Sequence, residues 1–388
     1  MIVSAGSPVV LDVSALDLSH LEIHDQLAVP DTRDYKIIVS RVDLGGPVSF
    51  PTGLPRTPGT LSVGSVGAPF KHRFALNLNR NHLSDVYVAS PESNENMSFV
   101  VHGGSTLILH GWNQGPNGVP RRSWLRLASG SSATPGQTSL TLEANPGWSA
   151  RDSVVIASTD FDMLEAEELQ VQTSAANTVT FLPALSHPHH GVIERGLVDE
   201  RAEVGLLSHN IQISSDVLKV VGAGGREDIR AGHVMFHNRM GMDPVPTVQI
   251  DYTEFMNLGW KGAQGRYPVH FHLLGNAPGC WIRNSSVHHC FNRSVTLHGT
   301  NQVQVEGVVA YDTYGHTFYL EDRSEVDNVF TANLGLVTRD PTLPIDPAVS
   351  MISEIWPTTG KPYFCLHDTE TSTYWITNTR NSILGNVA

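Results

Sequence analysis

The sequence predicts an all-β protein: a right-handed parallel β-helix (a solenoid) with an N-terminal β-rich domain packed on it or continuing it. Three observations carry this expectation. Among 388 residues, charged side chains make up 16%, while Gly (34) and Pro (23) are plentiful. That balance suits short strands and tight corners rather than helical bundles. No long stretch shows a 3.6-residue apolar period. Between residues 231 and 334 the chain resembles itself at an interval in the twenties. A repeat of that length, with two or three short strands per unit, signals stacked coils.

The elements follow in chain order. Residues 1–172 are assigned to the N-terminal domain. They carry short alternating segments (VVLDV, LEIHDQLAV, YKIIVSRVDL, FALNLN, TLILHG, WLRLAS, SLTLEA, SVVIAS) divided by GGP, PTG, GPNG and NPGW. Residues 44–68 and 112–122 are Gly/Pro-rich and read as loops. DFDMLEAEELQV (160–171) reads as a solvated acidic face with a short helical turn. Residues 173–388 are assigned to the coils. There VMFH (234–237), VHFH (269–272), VTLH (295–298) and FYLE (318–321) occupy matching places. VQID (248–251), WIRN (281–284), VQVE (303–306) and EVDN (325–328) read as second strands, and third segments end in FMN, VHH, AYD and TAN.

Side chains alternate faces along a strand. If Val234, Phe236, Val269, Phe271, Val295, Leu297, Phe318 and Leu320 line the coil interior, the residues between them point outward. Stacking in register then makes two columns: Met235, His270, Thr296, Tyr319, and His237, His272, His298, Glu321. Neighbours in a column lie about 5 Å apart. Arg266, Arg293 and His316 enter from preceding turns.

Two kinds of chemistry suit this row. Imidazoles with a carboxylate suit zinc or another transition ion; the metal-ligand candidates are His237, His272, His298 and Glu321. Calcium would instead use oxygens, for which Asp312, Glu321 and Asp322 are candidates. The other chemistry is proton transfer. Cleaving a uronic-acid polymer by elimination takes a base, a cation on the carboxylate and an acid for the leaving oxygen. The catalytic candidates are His270, His272, His298, Arg266 as carboxylate clamp, Tyr319 as proton donor, and Glu321. Hydrolysis needs two flanking carboxyls. Glu321 and Asp322 would face opposite sides of a continuing strand and make a poor pair.

Other features read as structural. SHPHHG (186–191) reads as a solvated loop, and His289, Asp312 and Asn333 as a turn ladder. Asn96, Asn284 and Asn292 head glycosylation sequons, which arise easily by chance. A net charge of −13 argues against a nucleic-acid partner. No apolar run reaches the ~18 residues a spanning helix needs. Three cysteines (Cys280, Cys290, Cys365) give no disulfide framework. The first ten residues, MIVSAGSPVV, have no signal-peptide pattern.

Several strings resemble the cell-surface hyaluronidase family, that of the cell migration-inducing, hyaluronan-binding protein CEMIP and its transmembrane relative. They are LDVSALDLSHLEIHDQL, GGSTLILHG, SVVIASTDFDMLEAEELQV, EVGLLSHNIQI, GRYPVHFHLLGN, NSSVHHCFNRSVTLHGTN and AYDTYGHTFYLED. The resemblance implies an eight-glycine-type domain followed by β-helix repeats. It also implies an extracellular or secreted protein whose partner is an acidic polysaccharide such as hyaluronan. The closing STYWITNTRNSILGNVA looks like the start of another coil, so a longer native protein is expected. The expected activity is binding and depolymerisation of the glycan; the alternative is a glycan-binding or adhesion solenoid without turnover.

Overall fold

The computed structural model describes residues 1–46, 57–80, 97–221, 227–238, 243–341 and 370–388. Cys365 and Asn96 lie outside them.

Strand patterns of period two close into a three-sided coil. One side is a nine-stranded sheet running from Val9–Val10 through Thr106–His110, Thr247–Asp251, Trp281–Arg283, Gln304–Glu306 and Val329–Thr331 to Ser382–Leu384. The other two sides form one fifteen-stranded sheet, because the long strands Ala15–Ile23 and Tyr35–Leu44 run through a corner. The first half of Tyr35–Leu44 pairs with Phe74–Leu78 and the second half with Ser98–His102. Below that fork one branch continues as Ile211–Ser215, Thr253–Met256, Ser286–Cys290, Val309–Tyr314 and Leu334–Arg339. The other continues as His233–His237, Val269–Asn276, Val295–Asn301, Phe318–Leu320 and Tyr374–Trp375. All pairings along these stacks are parallel.

The expected boundary at residue 172 is corrected by this topology. It falls inside the strand Glu167–Ala175, and the coil already begins in the first strands of the chain. Residues 111–210 leave one coil after its second strand and return as its third. Within that excursion lies a six-stranded antiparallel sheet with its own core around Trp148, Leu142, Val154, Val171 and Phe181. Val155, Ala157 and Leu207 seat it on the coil against Val309, Leu334 and Leu336. The excursion departs at a coil corner, so Thr106–His110 and Ile211–Ser215 both keep their stacked pairings; composition alone does not reveal this. The expected loop at 44–68 also holds a strand, Thr60–Val63.

The coil interior is filled by the alternate apolar residues, including Phe236, Phe255, Phe271, Phe318 and Phe330, all at 1% exposure or less. Burying each contributes roughly 1.5–3 kcal/mol. Cys280 and Cys290 are free and buried in the same core. The first strands of the four expected units pair as the repeat requires. The fourth unit differs further on: its second strand is Val329–Thr331, not EVDN, and its third is Leu334–Arg339. A longer turn after Leu320 shifts both.

Asparagines hold the corners. Asn333 accepts from the Val308 N–H, donates to the Val305 carbonyl, and donates to Asn386, all at 2.8–2.9 Å. It therefore belongs to a ladder with Asn386, not with His289 and Asp312. Those two share a different corner with Val337, all in the left-handed region at φ 51, 52 and 55.

Candidate functional site

Register builds the site. His102 pairs with His237, His237 with His272, and His272 with His298. Leu297 pairs with Leu320, and the Glu321 N–H reaches the Leu297 carbonyl at 3.1 Å, so the row ends on Glu321. The expected file of His237, His272, His298 and Glu321 is present, and their rings lie outside the apolar core. His102 extends it by one coil. Its segment SFVVH shares with VMFH and VHFH apolar residues two positions apart (Phe99, Val101) followed by a histidine, which is the signal in the sequence.

Solvent exposure departs from the expectation. His270 and Thr296 point away from the core yet are fully buried, and Tyr319 is 6% exposed. Alternation sets direction, but coverage comes from elsewhere. The ring of Tyr267 lies 4.7 Å from that of His270, and the Arg293 guanidinium lies 4.0 Å from the Tyr319 ring centre. His316 stacks on the same tyrosine at 5.0 Å. Tyr319 is thus a packed floor for Arg293, not an accessible proton donor. His237, His272 and His298 remain half-buried, and Asp322 is exposed.

Three imidazoles converge. His272 Nδ1 lies 3.1 Å from His298 Nδ1, the His270 and His272 ring centres are 4.8 Å apart, and His270 and His298 stack in parallel at 6.0 Å. One ring nitrogen from each of these three histidines lies within 4.8 Å of the others. His237 stands aside, its ring 5.3 Å from His272. The geometry therefore replaces His237 with His270 in the ligand set expected from sequence. A bulge follows: register shifts between His272 and Gly275, with Leu273 at φ 54. Bulges at such places re-aim neighbouring side chains.

Carboxylates close the cluster from both ends of His298. Asp322 Oδ2 lies 2.9 Å from its Nε2, and Glu321 Oε2 lies 3.6 Å from its Nδ1. The strand ends at Leu320, and the turn brings both acids to one ring, against the expectation of opposed faces. Glu321 Oε1 accepts from the Tyr267 hydroxyl at 3.1 Å and lies 3.5 Å from Arg293. Arg293, 1% exposed, donates to the same hydroxyl at 2.7 Å. Sequence reasoning missed Tyr267 because it lies just before the strand.

Burial, reinforced by His298, His237 and Arg266, pushes His272 down to about 4. Burial, then His272 and His298, pushes His270 well below the usual imidazole range. Both are neutral at pH 7. Neither His270 nitrogen has a hydrogen-bond partner; the Gly265 carbonyl faces the ring without meeting hydrogen-bond geometry. Glu321 Oε2 is buried without a hydrogen-bond donor. Such orphaned atoms cost about 1–3 kcal/mol each. At the far end of the row, His102 Nε2 and His20 Nε2 each lie 2.8 Å from the Asp43 carboxylate, which also accepts from Arg41. Burial alone would raise Asp43, but those hydrogen bonds hold it far below the carboxylate range.

The remaining expectations resolve structurally. In SHPHHG, His189 is buried, bonded to the Ala157 carbonyl at 2.8 Å and Glu167 at 2.9 Å, so the segment is not simply solvated. Asn292 is buried, its amide given to the Trp260 and Ala263 carbonyls, which removes it as a glycosylation acceptor. Asp312 is bonded to Arg339, away from the histidine row.

A three-sided parallel solenoid with an in-register file of histidines ending on paired acids is the class these features define. Residues 230–388 match the family model described as CEMIP beta-helix, which bears out the sequence resemblance over that region. Human cell surface hyaluronidase CEMIP2 is 34% identical over 266 residues, covering 62% of this chain and 18% of that protein. A Dictyostelium discoideum protein is 29% identical over 413 residues, covering all of this chain and 36% of the relative. Human Fibrocystin-L is 27% identical over 422 residues, covering all of this chain and 9% of its own length. The chain thus spans little more than a third of these relatives at most. Among the described residues, no helix is long and apolar enough to cross a membrane.

Proposed function

We propose that this chain binds an acidic polysaccharide of the hyaluronan type along the histidine row and depolymerises it outside the cell. One observation carries the reading. Half-exposed His272, held neutral, is flanked by half-exposed Arg266, whose charge acts on it, and by the His298–Asp322 pair at the solvent edge. Arg266 clamps a sugar carboxylate, and neutral His272 with His298 works on the glycosidic link, as proton-transfer groups or as metal ligands. The relative CEMIP2 is named a cell surface hyaluronidase, which supports both the substrate class and the location.

The burial of Tyr319 removes the expected proton donor and favours a second reading, a glycan-binding solenoid without turnover. Incubation with hyaluronan and related acidic polymers separates the two. New reducing ends mark hydrolysis, new ultraviolet-absorbing unsaturated ends mark elimination, and column retention without either marks a binder. We expect turnover that falls at least about 100-fold in His272→Ala, the loss typical of removing a proton-transfer group. Full turnover in that variant, or neither turnover nor retention in the parent protein, overturns the assignment.

A further inference from the structure

We infer that His270, His272 and His298 form a mononuclear site for a divalent transition ion of the zinc class, with one coordination position open toward solvent. The inference shares residues with the polysaccharide reading but does not rest on it.

The donor set selects the ion. Three imidazole nitrogens suit zinc and its neighbours, while calcium takes oxygens. Tetrahedral zinc with bonds of about 2.0–2.1 Å places its ligand atoms about 3.3 Å apart. His272 and His298 already bring Nδ1 to Nδ1 at 3.1 Å, and one nitrogen of His270 completes the triangle within 4.8 Å.

A second observation points the same way. His270 is fully buried at the back of the cluster with neither nitrogen hydrogen-bonded. A fully buried ring with both nitrogens unbonded, crowded against two further imidazoles, is hard to account for as packing, since an apolar side chain would fill the space without the cost. An ion between them satisfies the lone pairs. The outer shell fits as well. Asp322 takes the Nε2–H of His298 at 2.9 Å, which leaves Nδ1 as the ligating atom. Ligating histidines characteristically give their other ring nitrogen to such a partner. Glu321 stands 3.6 Å from the same Nδ1, held by Tyr267 and Arg293. Its Oε2 is buried and accepts no hydrogen bond, so it would be available as a proton acceptor beside an ion held by the three rings. His272 and His298 are half-buried, so solvent reaches this side of the cluster.

Chelator-treated protein titrated with Zn²⁺ and, separately, with Ca²⁺ in a calorimeter tests the inference. The expected result is one tight zinc site per chain, no calcium site, and a tetrahedral visible spectrum when Co²⁺ is used in place of zinc. His272→Ala is expected to weaken zinc at least about 100-fold, the upper end for loss of an outer-shell partner. Asp322→Ala, on an exposed residue that leaves folding intact, is expected to weaken it about 10–100-fold. Two other clusters, His190 with Glu194 and Glu200, and His20 with Glu22 and Asp43, serve as controls. Zinc binding unchanged in His272→Ala and lost in His190→Ala overturns the inference, as does an absence of stoichiometric zinc in the parent. Zinc binding without any glycan turnover upholds it while refuting the enzymatic reading.

Discussion

Phe271 and His272 are adjacent in sequence and face opposite ways, and replacing each by alanine tests the alternation on which the site depends. The Phe271 ring is fully buried and lies 4.7 Å from Phe236 in the coil interior. Phe→Ala in such a place costs about 3–5 kcal/mol, because the cavity cannot collapse. Unfolding entropy of about 2.1 cal/mol/K per residue over 388 residues gives roughly 0.8 kcal/mol/K. A loss of about 4 kcal/mol therefore lowers Tm by about 5 °C. His272 is half-buried, and its hydrogen-bond contact among the described residues is to His298 Nδ1. Removing it costs less than about 1 kcal/mol, since no apolar cavity opens, and Tm moves by about 1 °C. Differential scanning calorimetry on the metal-free variants reads both numbers without a ligand contribution. The reasoning fails if His272→Ala melts as early as Phe271→Ala, for then the histidine is part of the core.

Two further outcomes follow from the same structure. Asp251 lies on the nine-stranded side; burial raises its carboxyl to about 6, and Glu306 adds to this. Asn284, Arg283 and the Tyr252 N–H only partly offset the shift, and His110 stands 4.0 Å away. The folded form holds the proton more tightly than the unfolded one, so the contribution of Asp251 to stability is fully present below about pH 4 and is lost as pH rises through about 6. Asp251→Asn keeps the oxygen that accepts from Asn284 at 2.9 Å. It is expected to remove that decline and to gain roughly 2–3 kcal/mol at pH 7 in urea melts; an unchanged pH profile would refute the burial argument. Asn333→Ala strips the Val308 N–H and the Val305 carbonyl of their partners and should cost about 3 kcal/mol, read as a lower urea midpoint. A loss under about 0.5 kcal/mol would mean water replaces the amide.

The first strands of four coils were legible because they repeat apolar residues at alternate positions before a His or Glu, and stacking demands register. The same pattern places His272, His298 and Glu321 in one file. It could not show that His270 and Tyr319 are roofed over, because Tyr267 and Arg293 come from the turns, whose paths have no period. It missed His102 because residues 111–210 separate that coil from the next, so no interval in the twenties connects them. It misplaced the fourth coil's later strands because the turn after Leu320 is longer than its predecessors. Asp322 was discounted on the assumption that the strand ran on; it stops one residue before Glu321, and the change of direction makes the pair.

The detour between His110 and Ile211 departs and rejoins at one edge of the spiral. A stack of this kind behaves like a spine whose vertebrae are indifferent to what hangs from them. Whole folding units can be acquired or lost at its edges while the polar furrow on another side keeps its spacing, so ancillary recognition can diversify without retuning the central chemistry.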